Sequence, residues 1–478
     1  MLWQGVELAV VQARESLGRV PSGTHMKMRE LVDKNAIDIA FIDEREKVLQ
    51  HDLNSFLEER LRFLPPELQA EFHKKMTSYD TEEAPFAMML NASCMRVDEL
   101  VDQLFESIKS LAIRYRYTPM NARTHGQEAE MQSFGKRCLT WYKDLDAAYD
   151  AFEHAKENLA FSKLSGAIGT GSGIDPDLES AALALLGFKP WRGATQIMPR
   201  VLYSPLGSAL AEIVMVINKI ATDIRLGARS GRPLWHEPFG KKQKGSSAMP
   251  HKKNTISCEQ IEGMARMAKS YAAGIKENIV TWEERAIEQS SVERVFWPDL
   301  FHVTVRAISV LDKVLKGLAV YPDNMLAEIV ESRGCYASNE AKELLVELGL
   351  PIGLAREDAY RIVQLAARNA FEPDEMALAL RASPIPSLTE ADSWLKRRAD
   401  RLPVHVTSIN GIIAEGALRY DPGLGAHDKI IGTWNEKLRA IFVFGAGRSE
   451  ALEKWDAIFQ PSHILANEAV LFESVFGV

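Results

Sequence analysis

Met95-Arg-Val-Asp-Glu-Leu-Val-Asp-Gln-Leu-Phe-Glu-Ser-Ile-Lys-Ser-Leu-Ala-Ile-Arg-Tyr115 places apolar side chains at Val97, Leu100, Val101, Leu104, Ile108, Leu111 and Ala112. That stripe has the 3.6-residue period of an amphipathic helix and not the alternation of a half-buried strand. The same character extends in both directions. Residues 4–18 carry Val6, Val10, Ala13 and Leu17 on one stripe, stopped by Gly18 and Pro21. A second helix is predicted over 26–39, and the segment from Ile42 leads into another through Leu61, before Pro65-Pro66. Further helices are predicted over 131–159, 203–229, 256–285 and 298–318, each longer than the ordinary helix of a globular protein. Strand signals are scarce. Val346-Glu-Leu-Gly-Leu-Pro351 opens a region of shorter helices, 355–370, 373–381 and 389–398, ending at Asp421-Pro-Gly-Leu-Gly425. Residues 435–478 read as helical but irregular. The expected fold is all-α with three helical domains, 1–92, 93–345 and 346–478, the central one a bundle of very long helices. Such helices need broad apolar partners, so assembly with other subunits is expected.

The chain has 478 residues, 46% hydrophobic and 26% charged, the composition of a soluble globular protein. A formal net charge of −8 argues against a dedicated nucleic-acid binder but allows a local basic pocket for an anionic small molecule. Cys94, Cys138, Cys258 and Cys335 are scattered, without a CxxC, so neither a zinc site nor a disulfide framework is indicated. The first residues lack the basic and apolar regions of a leader, and no apolar run of bilayer-spanning length is read. A cytoplasmic protein without membrane or nucleic-acid partners is expected.

One segment interrupts the helices: Gly245-Ser-Ser-Ala-Met-Pro-His-Lys-Lys-Asn254, preceded by Lys241-Lys-Gln-Lys244 and followed by Glu259. Gly245 and Pro250 indicate a loop. Taken alone, it is either a basic surface loop or a nucleophile or base set among charge-stabilising groups. Thr77-Ser78 suits either an anion contact or a helix N-cap. His51 and Asp52 are adjacent and do not form an obvious dyad, and a solvated histidine at a helix start is the plain alternative. The Gly-rich run 165–173 has no strand before it, which excludes a dinucleotide-binding turn.

The Gly245–Asn254 string resembles the signature loop of the fumarase/aspartase superfamily, and its Ala-Met-Pro-His variant is most similar to that of the adenylosuccinate lyases. His51-Asp52, Thr77-Ser78, Arg123-Thr-His-Gly-Gln127, Phe134-Gly-Lys136, Ser165-Gly-Ala-Ile-Gly-Thr170, Thr195-Gln196, Ala221-Thr-Asp-Ile-Arg-Leu226 and Ser290-Ser-Val-Glu-Arg294 resemble family segments in family order. The likeness covers residues 4–435, and 436–478 lie outside it. The resemblance implies C–N bond cleavage by β-elimination with release of fumarate, without a metal or other cofactor. It implies Ser246 as base and His125 as acid, with Glu259 orienting His51 from another subunit. Lys252 and Asn254 match carboxylate contacts. His73, Thr77, Ser78, Asp52 and Gln196 match substrate contacts, and Arg285, Ser290 and Arg294 match the phosphate-holding residues. A homotetramer with shared active sites and a succinyl-nucleotide substrate is implied.

The sequence also departs from the family pattern. Gln50 and Gln260 stand where the family has arginines, Thr255 where it has a proline, and Lys75 where it has a glycine. Pro199 and Val201-Leu-Tyr203 replace its Gln and Asp-Arg-His. The family's preceding Arg-Tyr phosphate pair finds no match. Each lost charge-assisted contact is worth roughly 1.5–3 kcal/mol. Two alternatives therefore stand beside an adenylosuccinate-cleaving enzyme. One is a divergent paralogue acting on another succinyl- or carboxy-substituted compound. The other is a non-catalytic helical assembly or binding protein, against which the presence of both acid and base argues.

Overall fold

The structure is a computed structural model and describes residues 1–332, 334–370 and 447–478. The helices expected over 373–381 and 389–398 and the stop at 421–425 lie outside the described residues. Helices dominate, as expected. Ser78–Arg114 runs for 37 residues, and Phe134–Lys156, Ser204–Gly227, Ile256–Glu277 and Glu288–Lys316 follow it. Every residue of the 97–112 stripe is buried.

Several boundaries differ from expectation, each for a local reason. The long helix starts at Ser78 because the Asp80 carboxylate reaches back to the Thr77 N–H at 2.9 Å, half of a capping box. The segment read as one stretch through Leu61 is two helices, Ile39–Leu49 and Asp52–Leu61, broken by left-handed Gln50 and capped by His51. Pro298, expected at a helix start, lies inside a helix that begins at Glu288. Its missing N–H frees the carbonyl of Arg294. Arg200–Gly227 is long and apolar enough to cross a bilayer, contrary to the sequence reading. It is a core helix, with Leu206, Leu210, Ile213, Val214, Ile217, Ile220 and Ile224 all buried.

Two compact units are present, each built from three chain segments. The first comprises Met1–Leu104, Asp144–Ala221 and Ser257–Asp312. Its N-terminal helix, Leu2–Ser16, buries Leu8 and Val11 in one cluster with Met28, Leu53, Phe56 and Phe72, and Val6, Val10 and Ala13 in another with Ile174 and Leu178. Fully buried Arg60 donates to the carbonyls of Val32 (3.2 Å), Asn35 (3.0 Å) and Ala36 (3.2 Å). These carbonyls lie in the last turn of the Thr24–Asp33 helix and in the segment just after it.

The second unit comprises Phe105–Lys143, Thr222–Ile256 and Lys313–Val478. It holds an antiparallel hairpin, Pro119–Thr124 with Gln127–Ser133. The helix Pro322–Glu331 packs on the first strand, where Asn121 Nδ2 donates to the Glu328 carbonyl at 3.2 Å. The end of the chain forms the helices Arg448–Ala457, Pro461–Ala466 and Ala469–Phe476. Trp455, Ile458 and Phe459 join the core of Ile329, Leu344, Leu345 and Ile362, and Ser133 N–H donates to Glu468 at 3.0 Å.

Candidate active site

In the first unit a fully buried ion pair organises three loops. Lys163 Nζ lies 2.8 Å from Asp80 Oδ1 and donates to the carbonyls of Gln196 (2.8 Å) and Gly166 (3.1 Å). Asp80 also accepts from the N–H groups of Ser165 and Gly166. The Thr77-Ser78 turn, the Gly-rich loop and Gln196 are thereby tied together. Gly169 follows from the same packing, since a Cβ there would sit 1.9 Å from the Ala194 carbonyl.

Gln196 leads to the arginines. Its Oε1 accepts from Arg285 Nη1 at 2.9 Å, and its Nε2 donates to the Ala167 carbonyl at 3.0 Å. The Arg285 guanidinium lies 4.1 Å from the centre of the Tyr79 ring, and its Nε is buried without a partner. Arg294 donates to Ser290 Oγ at 3.2 Å and to Asp52 Oδ2 at 2.7 Å. Burial raises the Asp52 pKa, but Arg294 and the Leu53 N–H outweigh it, and the carboxyl titrates below its usual range. Arg200, fully buried, bridges Glu83 (2.6 Å) and Glu293 (2.8 Å) and so holds the Glu288–Lys316 helix against Ser78–Arg114.

His73 sits with Nδ1 2.8 Å from Glu7 Oε1, and its N–H donates to Glu7 Oε2 at 2.9 Å. Buried Glu7 therefore favours the Nδ1–H tautomer and leaves Nε2 for a ligand. His51 accepts the Asn54 N–H on Nδ1 at 3.4 Å and lies 3.6 Å from Asp52. No hydrogen bond or ion pair joins His51 to Glu259, which is exposed in the first turn of Ile256–Glu277.

The second unit carries the predicted acid and base. His125 and Gly126 have φ of 54° and 77° and link the hairpin strands in a two-residue turn, the signature of type I′. The imidazole is exposed at the tip. Ser246 Oγ accepts from the N–H groups of Met249 (3.1 Å) and Ala248 (3.3 Å), donors that favour negative charge on that oxygen. The loop closes on itself. Asn254 Nδ2 donates to the Gly245 carbonyl at 2.8 Å, and a Cβ on Gly245 would lie 2.0 Å from the Lys252 carbonyl. No hydrogen bond joins Ser246 to His125, and Lys252 is exposed.

Backbone strain marks the same places. Among the described residues, five non-glycine residues have positive φ: Gln50, His73, Lys75, His125 and Glu283. Each is an expected site residue or lies within two of one in sequence. Tyr79, Glu82, Glu83, Arg200 and Glu293 were not anticipated. The acidic run Asp80–Glu83 reads as ordinary helix-start charge, and nothing local shows that Glu83 meets Arg200.

The sequence model of the Lyase family matches residues 9–268. Adenylosuccinate lyase from Aquifex aeolicus is 37% identical over 375 residues, covering 78% of this chain and 84% of that protein. The enzyme from Deinococcus radiodurans is 32% identical over 416 residues, covering 83% and 93%.

The chain belongs to the adenylosuccinate lyase family.

It is accordingly a fumarate-releasing C–N lyase. The fold agrees with two solved structures. A fumarate lyase from Mesorhizobium sp. BNC1 superposes with a TM-score of 0.68 at 19% identity, covering 96% of this chain and 93% of that one. A 3-carboxy-cis,cis-muconate lactonizing enzyme from Pseudomonas putida gives 0.68 at 16%, covering 100% and 94%.

Proposed function

We propose that this family member cleaves adenylosuccinate to AMP and fumarate, and the succinyl-aminoimidazole-carboxamide ribotide to its carboxamide product, as a soluble cytoplasmic enzyme. Ser246 Oγ takes the proton from the carbon next to a succinyl carboxylate. The electron pair moves into that carboxylate as an aci-dianion, stabilised by Lys252 and Asn254. Expulsion of the nitrogen forms the fumarate double bond, and His125 protonates the departing nitrogen. Arg285, Ser290 and Arg294 hold the phosphate, Gln196, Thr77, Ser78 and Asp52 contact the substrate, His73 presents Nε2 to it, and Glu259 orients His51.

The observation that carries the reading is the Ser246 hydroxyl held by two amides within the closed Gly245–Asn254 loop. The test is to mix protein with adenylosuccinate and follow AMP and fumarate. No turnover there, with turnover of another succinylated compound, would replace this substrate. One observation favours that second reading: Arg294 is already paired with Asp52, which weakens its pull on a phosphate. We further propose a homotetramer in which His51 and Ser246 of one site come from different subunits, supported by the absence of a His51–Glu259 bond within the chain.

A further inference from the structure

Tyr79, Glu82, Asp52, Ser290 and Arg294 line one cavity of about 760 Å³ in the first unit. Glu82 is the odd member. Its neighbour Glu83 is bound to Arg200, and Asp52 to Arg294, whereas Glu82 forms no hydrogen bond or contact ion pair among the described residues. With both carboxylates ionised, Asp52 and Glu82 offset the charges of Arg294 and nearby Arg285, and a dianion entering beside Ser290 gains no net attraction from these four groups. With Glu82 neutral, one positive charge is uncompensated and an O–H donor faces the anion.

We propose that Glu82 is a specificity-determining residue, which takes up one proton from solvent as a dianionic group binds at Ser290 and Arg294. The inference rests on the phosphate placement proposed above. The proton is easily gained near neutrality, because burial and then the Asp52 charge push the Glu82 carboxyl up to about 7. The remaining titratable groups on the cavity wall do not duplicate this role. Tyr79 is raised by burial and stays neutral, Glu83 and Glu293 share the single Arg200 guanidinium while burial raises the Glu293 carboxyl, Arg96 pairs with Glu99 at 2.6 Å, and all of these, with His302, are common to parent and variant. The subsite thus binds a dianion more tightly on the acid side of neutrality.

Sulfate, a dianion throughout the range, is the probe. The full-length protein and Glu82→Gln are titrated calorimetrically at about pH 6 and about pH 8.5, with the linkage expected of one coupled proton. The parent Kd should rise roughly tenfold or more between the two. The variant should match the parent at the lower pH and change by less than about threefold, because the amide mimics the neutral carboxyl. Equal pH dependence in both proteins, no sulfate binding at the lower pH, or binding unaffected by Arg294→Ala would each overturn the proposal. Adenylosuccinate turnover by the parent is scored separately. Its absence would remove the substrate assignment and leave the sulfate comparison to decide Glu82.

Discussion

Ser246 and Glu82 show opposite uses of local electrostatics. A serine hydroxyl is a weak base, and at Ser246 two amides of its own loop favour the charged oxygen. Ser246→Ala and His125→Ala should each lower kcat by about 10²–10⁴ while KM moves by a few-fold, because in the proposed mechanism each group moves a proton in the transition state and neither is a main binding contact. Near-normal turnover in either variant would refute its role. Glu82 is destabilised as an anion, since its folded pKa of about 7 lies above the ordinary carboxylate value of 4.5. The folded state therefore binds the extra proton, and stability present below the ordinary value is lost as pH rises through about 7. Glu82→Gln should raise the thermal midpoint above the parent's at alkaline pH and leave it unchanged below the ordinary carboxylate value of 4.5. A constant difference at all pH values would show that packing, not charge, is responsible. The proposal for Ser246 comes from its neighbours in sequence. Glu82 could not be found in that way, because its burial and its distance to Asp52 exist only after folding.

At the scale of elements, the His125 hairpin is the clearest case of a site built by backbone geometry. The turn requires φ of 77° at Gly126, where a side chain would meet no other atom within 4 Å, so any cost is conformational. Gly126→Val should destabilise the protein by about 1–2 kcal/mol and reduce kcat more than KM, and Gly126→Asn should recover most of both, because asparagine tolerates this region. Denaturant titration with steady-state kinetics checks both. The Lys163–Asp80 pair plays the equivalent part for the Thr77, Gly166 and Gln196 loops. Lys163→Met should cost about 3–5 kcal/mol, since it leaves a buried carboxylate uncompensated. A loss under about 1 kcal/mol would mean that the amides of Thr77, Ser165 and Gly166 suffice for Asp80. The hairpin was missed in the sequence because its strands lack β-branched alternation, although His-Gly between two short polar runs was a usable turn signal. The long helices were legible because their apolar period persists over many turns.

For the whole molecule, the predicted catalytic residues fall in both compact units. His51, His73, Glu259 and the arginines belong to the first, and His125, Ser246, Lys252 and Asn254 to the second. If one active site draws on several subunits, mixing inactive His51→Ala and Ser246→Ala proteins should restore about a quarter of parental activity or less through sites that receive both intact residues. A sedimentation measurement should show the oligomer. A monomer, or mixtures as inactive as their parts, would end the shared-site reading. The sequence by itself determined the helical class and the family, because periodicity and a ten-residue chemical string are local properties. Only the tertiary structure decided that Asp52 ties up Arg294, that Glu82 stands unpaired in the same cavity, and that strain gathers at His73, His125 and their counterparts. Those facts depend on side chains brought together from distant positions, and on backbone angles that neighbouring elements, not the local residues, impose.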